Sequence, residues 1–321
     1  MAATRLTNVV VPTVFSDYVS ERTAELSKLY QSGIVQAVPE LAFGEGNTLN
    51  MPFWQDLSGS SEVLSATGDT LSINPISSDT DVAVVLARAK AWGSNELAAA
   101  LAGDDPMREI GDKVAAWWAR DDQDTLIAIL TGVFTSLAAE SPAINTIDIS
   151  SLSGLASIID TDAVLDAQQL MGDSKHKLTA IGMHSATENK LAKLDIIDYV
   201  QPSTGSARVP MYQDKMVVVD DSFPVPSAGV YDTYLFGAGA IGYAEDTSGL
   251  ITRTETDRVS LAGEDTLISR KRFIMHPRGV AWAGAATGGG PVNTVLDDAA
   301  SWNRVYEAKN VRLVRLRHKI A

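Results

Sequence analysis

The 321-residue chain contains no cysteine. That absence removes disulfides, thiolate nucleophiles and every cysteine-based zinc or iron–sulfur site at once. Histidine is scarce as well. His176, His184, His276 and His318 include no pair at the i, i+4 spacing of a helical zinc site, and no H-E-x-x-H occurs. His184 and His276 each follow a methionine at the end of an apolar run, where a satisfied structural histidine is the simpler expectation. The sequence also lacks a G-x-S-x-G elbow and a G-x-x-x-x-G-K-[ST] loop. No apolar stretch reaches the roughly 18 residues of a spanning helix, so no membrane partner is expected. The opening MAATRLTNVV has neither a charged segment leading into an apolar run nor a small-residue cleavage site. No secretory signal is read there, and a cytoplasmic site of synthesis is expected.

Positive charge is in short supply. Twenty-six Lys and Arg stand against forty Asp and Glu, giving a net charge of −14 and a pI near 4.7. Such a chain has no net positive field with which to displace counterions from nucleic acid, so general DNA capture is not expected. A solvated acidic surface that keeps the protein dispersed accounts for the balance. The apolar fraction of 45% and mean hydropathy of +0.03 are those of an ordinary globular chain.

The first apolar run, VVVPTVF, is followed by a short helix signal with Ser16 as N-cap and Gly33 as stop. Its thin apolar stripe suggests an arm that packs on something else. IVQAVPELAF and TLNMPFW read as extended pieces around the turn GEGN. From Gln55 to Thr80 the sequence has no Lys or Arg but carries Asp56, Glu62, Asp69 and Asp79, an acidic loop with little core of its own. In DVAVVLARAKAW, Val82, Val84, Leu86, Arg88, Lys90 and Trp92 alternate with alanines and Val85, which argues for a strand. A helix is the competing reading, since Ala, Leu, Arg and Lys favour helices.

Capping by Asp104 or Asp105, Pro106 in the first turn and apolar residues from Met107 to Val133 predict a helix to Phe134. It would be about 45 Å long at 1.5 Å per residue. Further helices are expected at TDAVLDAQQLMGD and SATENKLAKLD, with strands at KLTAIGM, Tyr212–Val219 and Tyr231–Phe236. Two long alternating runs, GLITRTETDRVSLAG and DTLISRKRFIMHPRGVAWAG, predict strands paired across Ala262-Gly263. AGAATGGGP reads as a flexible break before a basic-ended tail.

Gly237–Gly242, GAGAIG, matches the dinucleotide pattern, but no helix signal follows it, so a tight turn is the better reading. The acid pairs Asp121-Asp122, Asp220-Asp221 and Asp297-Asp298 are expected to be solvated or capping rather than catalytic. The tail NVRLVRLRHKI gathers Lys309, Arg312, Arg315, Arg317, His318 and Lys319. It is suited to phosphate or to an acidic partner surface, such as a neighbouring copy's loop.

The order of parts resembles the major capsid proteins of tailed bacteriophages, which have the Hong Kong 97-like α+β fold. The stretches that carry the likeness are YQSGIVQAVPEL with NTLNMPFWQDLSGSSE, DDPMREIGDKVAAWWARDDQDTLIAIL, GMHSATENKLAKLDIIDYV, MVVVDDSFPV with TYLFGAGAIGYAE, and ETDRVSLAGEDTLISRKRFIMHPRGVAW. The resemblance spans about residues 5–285. It implies an N-terminal arm at 1–50, an extended loop at 51–92, and a peripheral domain at 93–172 and 250–275 with a spine helix at 105–135. An axial domain would occupy 173–249 and 276–285, leaving 286–321 as a C-terminal tail.

The implied function is a shell subunit of the virion, without catalytic site, cofactor or metal, that assembles in the host cytoplasm into hexamers and pentamers around double-stranded DNA. Asp56, Glu62, Asp69, Asp79, Arg312, Arg315 and Arg317 are the expected contacts between copies. A portal and a decoration protein are further partners the likeness suggests. The loop has no lysine between Gln55 and Asp81, so the isopeptide crosslinking of some family members is not expected. The arm is short, so any scaffolding should be a separate protein. An encapsulin-type cellular compartment shares the implied fold, and an α/β nucleotide-binding enzyme is the rival from another class.

Overall fold

A computed structural model of the chain describes residues 33–38, 46–62, 73–96, 106–200, 209–286 and 288–320. The short helix expected after Ser16 and the acid Asp69 lie outside these residues. In chain order, strands β1 (Val35–Ala37), β2 (Thr48–Trp54) and β3 (Ser78–Asn95) precede helix α1 (Pro106–Ala139). Strand β4 (Thr146–Asp148), helix α2 (Thr161–Gln169), β5 (Leu178–Met183) and helix α3 (Ser185–Lys193) follow. Next come β6 (Asp198–Val200), β7 (Val209–Tyr212), β8 (Lys215–Val219), β9 (Val230–Gly237), β10 (Ile241–Glu245), β11 (Thr254–Val259) and β12 (Glu264–Pro277). The last elements are β13 (Val280–Trp282), the short helix α4 (Asn293–Leu296), β14 (Trp302–Arg304) and β15 (Leu313–Lys319).

One sheet runs β1-β10-β12-β3-β2, with β11 also paired to β12; a second runs β4-β15-β9-β5-β8-β7-β6, and β13 and β14 form a two-stranded sheet. The alternating pattern of Val82–Trp92 does form a strand, and β12 holds it in antiparallel register from Glu264↔Asn95 to Ile274↔Val85. Strands β11 and β12 turn at Ala262-Gly263 as the alternation predicted.

Helix α1 carries the main core. Leu126, Ile129, Leu130, Val133, Phe134 and Leu137 recur at helical spacing on its second half. They pack against Val84, Leu86 and Phe273 of the first sheet and Tyr234, Phe236 and Leu313 of the second. Its first half lays Val114, Ala115 and Trp118 on Leu267 of β12. At 34 residues the helix is longer than predicted, about 51 Å at 1.5 Å per residue. Its last turns beyond Phe134 are held by burial of Leu137 and by Ser136 Oγ donating to the Trp302 carbonyl. A separate core on the seven-stranded sheet joins Val164, Ala167 and Met171 to Ile181, Val217, Leu235 and Leu316. Helix α2 is capped by Asp160, which accepts from the Ala163 N–H, and α3 by His184, which accepts from the Ala186 N–H.

The C-terminal residues depart from the expected loose tail. Around the glycine run, the Ala87 N–H donates to the Gly289 carbonyl, and Arg88 donates to the Pro291 carbonyl. A Cβ on Gly290, which has φ +89°, would stand 2.3 Å from the Val85 carbonyl oxygen. The glycines therefore serve close packing on β3 rather than flexibility. Beyond them, β15 inserts between β4 and β9 inside the seven-stranded sheet. Its apolar residues, Leu313, Val314 and Leu316, are buried.

Candidate assembly surfaces

The hairpin of β2 and β3 is the first surface. Strand β2 pairs only with β3, from Thr48↔Val84 to Trp54↔Ser78, leaving its other edge unpaired among the described residues. The Asn47 carbonyl accepts from Val85 N–H and the Gln55 N–H donates to Ser77, so odd positions face β3 and even positions face outward. Pro52 therefore falls at an outward position and removes one donor from the free edge, a placement that blunts edge-to-edge pairing. Beyond the strands, Gln55 bonds Ser77 and Asp79, and Asn74 donates to the Ser58 carbonyl. Apolar side chains nevertheless point into solvent there: Trp54 is 69% and Ile73 94% exposed, with Leu57 and Ile76 exposed beside them.

Of the acids expected to meet other copies, Asp56, Glu62 and Asp79 are among the described residues. Asp56 is exposed, and its Oδ1 accepts from the Leu57 N–H; Asp79 is half-buried and accepts from Gln55 and the Thr80 N–H. Glu62 is exposed.

The expected basic contacts divide. Arg312 is on the surface and donates to the Ala238 carbonyl at 3.2 Å. Arg317 forms a two-pronged pair with Asp232 of β9, at 2.7 and 2.9 Å, and these hydrogen bonds hold its guanidinium above its ordinary range. Arg315 is only 5% exposed and stacks its guanidinium 5.8 Å from the Phe134 ring centroid. Burial lowers its pKa, with Asp232 opposing. His318, expected in the basic cluster, is wholly buried; burial pushes its pKa down to about 4. Arg315 and Arg317 are thus engaged within the chain, because β15 is a central strand with side chains buried on both of its faces.

The remaining motifs resolve into structure. GAGAIG is the turn from β9 to β10, with Gly239 at φ +62° and no helix after it. Asp298 caps the turn at Ala300 and Asp220 accepts from the Ser222 N–H, as capping acids do. Asp122 contradicts the expectation of a solvated acid. It is 1% exposed and pairs with Lys271 of β12. The spacing of Asp122 four residues before Leu126 on the apolar stripe was the available signal. His276, expected to be structural, is buried with its Nε2 3.0 Å from Asp81 Oδ2. Among the described residues no group of three or more His, Asp or Glu is arranged to hold a metal ion.

A further surface is the arm of β3, β12 and β11, whose tip exposes Val259 and Leu261. Arg258 braces it, donating to both oxygens of Asp265 and pairing with Glu96.

Comparison with known proteins agrees with this layout. The profile of a family described as Gp13-like, major capsid protein 13-like, matches residues 33–311. A major capsid protein of Bacillus phage SPP1 is 42% identical over 330 residues, covering 100% of this chain and 99% of that one. Solved structures share the fold at low identity. A cyanophage Pam1 capsid asymmetric unit gives a TM-score of 0.55 at 15% identity, covering 94% of this chain and 92% of that one. A chain from Mycobacterium phage Adephagia gives 0.55 at 10%, covering 88% and 87%. The head of Helicobacter pylori bacteriophage KHP40 gives 0.53 at 10%, covering 89% and 87%. The chain belongs to the Gp13-like family of phage major capsid proteins, structural proteins of the virion with the Hong Kong 97-like α+β fold.

Proposed function

We propose that copies of this chain close into hexamers and pentamers that tile an icosahedral head around double-stranded DNA, without sequence-specific contacts to it. The observation that carries this reading is the β2–β3 hairpin, which holds Trp54, Leu57, Ile73 and Ile76 in solvent on a slender projection. An isolated subunit leaves that apolar surface uncovered; a neighbour covers it. A contact between two different patches, repeated around an axis, closes into rings, as six-fold and five-fold capsomers require. In this reading residues 51–92 reach over a neighbour, 93–172 and 250–275 form the peripheral domain, and 173–249 with 276–285 meet their copies at the capsomer centre. The acidic hairpin docks through Asp56, Glu62, Asp69 and Asp79 on basic side chains of the next copy, among them Arg312. A separate scaffolding protein, a portal and a decoration protein are further proposed partners. The net charge of −14 supports a wall that does not grip its contents.

Negative-stain microscopy of the purified protein tests the reading. Shells or rings of six and five support it, and a uniform population of monomers or small dimers across assembly conditions overturns it.

A further inference from the structure

Two cavities of about 470 and 650 Å³ share Phe53, Arg278 and Tyr306 in their walls and form one cleft at the root of the β2–β3 hairpin. Apolar and polar side chains share both walls: Val38, Leu49 and Met51 stand with Asp81, His276 and Arg278 in the smaller, and Trp54 and Val305 with Asp56, Glu307 and Arg312 in the larger. A lining that mixes apolar and charged groups is about as apolar as contact surfaces between proteins generally are. Phe53 and Tyr306 meet edge to face at 4.7 Å, which presents aromatic surface to the cleft.

Asp81 lines the smaller cavity and is 3% exposed. Its Oδ2 accepts from the Gly279 N–H at 3.1 Å, whereas Oδ1 has no hydrogen-bond partner among the described residues. His276, also 3% exposed, stands 3.0 Å from the Oδ2 atom and does not reach Oδ1 with a bond. A buried carboxylate oxygen without a donor is unfavourable, and the group that relieves it best is a cation able to donate, an ammonium or guanidinium. Aromatic rings on the approach favour the same chemistry. Either cavity is far larger than a single ion fills. Strand β2 forms one wall and has an unpaired edge, with Pro52 limiting how much backbone pairing an incoming segment can make.

We propose that this cleft receives an extended segment of a second copy of the chain, whose lysine or arginine side chain passes the Phe53 and Tyr306 rings and pairs with Asp81 Oδ1. The proposal rests on the family's assembly from copies of itself and not on the ring order of the capsomers. It assigns the hairpin root a receiving role, distinct from the reaching role proposed for its acidic tip.

The test uses the full chain with a benzophenone amino acid at Trp54, which lines the larger cavity and is exposed. Probe-bearing chains of natural isotope content are assembled with an excess of nitrogen-15 chains lacking the probe, irradiated and mapped by mass spectrometry. The expected product joins position 54 to a heavy peptide, within a few residues of a lysine or arginine. A product confined to light peptides, a heavy product remote from any basic residue, or no product in assembled shells overturns the proposal. Asp81→Asn in the same chain keeps an acceptor for the Gly279 N–H but removes the charge. It is expected to lower the yield of the heavy product by about tenfold or more. An undiminished yield overturns the role of Asp81. If that variant does not fold, the product from chains retaining Asp81 still decides.

Discussion

Lys271 Nζ lies 2.5 Å from Asp122 Oδ2, and this contact ties β12 to the middle of α1. Arg88 is the cross-strand neighbour of Lys271, so two cations stand side by side on the sheet face that meets Asp121 and Asp122. Burial raises the Asp122 carboxyl above its usual range, with Lys271 pulling it back. The rings of Trp118, Tyr243 and Phe273 surround the ammonium at 4.9–5.7 Å. Lys271→Met leaves the carboxylate uncompensated and is expected to cost about 3–5 kcal/mol in denaturant unfolding. Combining it with Asp122→Leu should recover most of that loss, since an apolar pair of similar volume needs no desolvation. A double variant as unstable as Lys271→Met alone would refute the electrostatic account.

Gly132 sits inside α1, where alanine would ordinarily add about 1 kcal/mol of helix propensity. Here a Cβ would stand 2.1 Å from the Leu296 carbonyl oxygen and 2.7 Å from Trp302 Nε1. Those two atoms hydrogen-bond each other at 2.7 Å, so neither can move without breaking that bond. Gly132→Ala is therefore expected to destabilise by about 1–3 kcal/mol, as overpacking does. Thermal unfolding that shifts upward instead would show that α4 and β14 can retreat from the helix.

These two contacts also show where the sequence stops being informative. The start and apolar stripe of α1, the alternation of β3 and β12 and the turn at Gly263 depend on local periodicity, and each is legible in the residues. Asp122 looked solvated because neighbouring acids interrupt the apolar spacing, and its partner Lys271 lies 149 residues away. The tail misled for the reverse reason. Arg315, Arg317 and His318 read as a basic cluster along the chain, but β15 lies between β4 and β9, where strand neighbours distant in sequence neutralise or enclose them. The acidic composition of the stretch from Gln55 to Thr80 is legible without the fold. The cleft beside Asp81 needed Phe53, Arg278 and Tyr306 brought together from three segments, and no local pattern announces that.

His318 makes stability depend on pH with a definite sign. Its Nδ1 faces the Lys319 carbonyl, an acceptor only, so the proton resides there and Nε2 accepts from the Thr233 hydroxyl at 2.9 Å. Burial lowers the folded pKa to about 4, below the ordinary value of 6.5. The unfolded chain therefore binds the proton first, so the stabilisation is fully present above about pH 6.5 and is lost as pH falls toward 4. The loss is on the order of 3 kcal/mol. His318→Gln should flatten the unfolding free energy across that window, measured by urea titration at several pH values. An equally steep decline in the variant would assign it to other groups.

The acidic hairpin gives a prediction about assembly rather than folding. Glu62 and Asp69 lie in a stretch, Gln55 to Thr80, whose sequence contains no Lys or Arg. If these acids meet cations of the next copy, reversing both to lysine replaces attraction by repulsion at the contact. Subunit folding, followed by circular dichroism, should be unchanged, since substitution at an exposed position such as Glu62 usually shifts stability within about 0.5 kcal/mol. Shell yield should fall. The native shell should also weaken as salt rises, since exposed pairs are screened beyond about 8–10 Å at moderate ionic strength. Assembly by the doubly reversed chain at native yield would place the hairpin's contribution in Trp54, Leu57, Ile73 and Ile76 instead, and the charge of the loop would then serve only to keep free subunits apart.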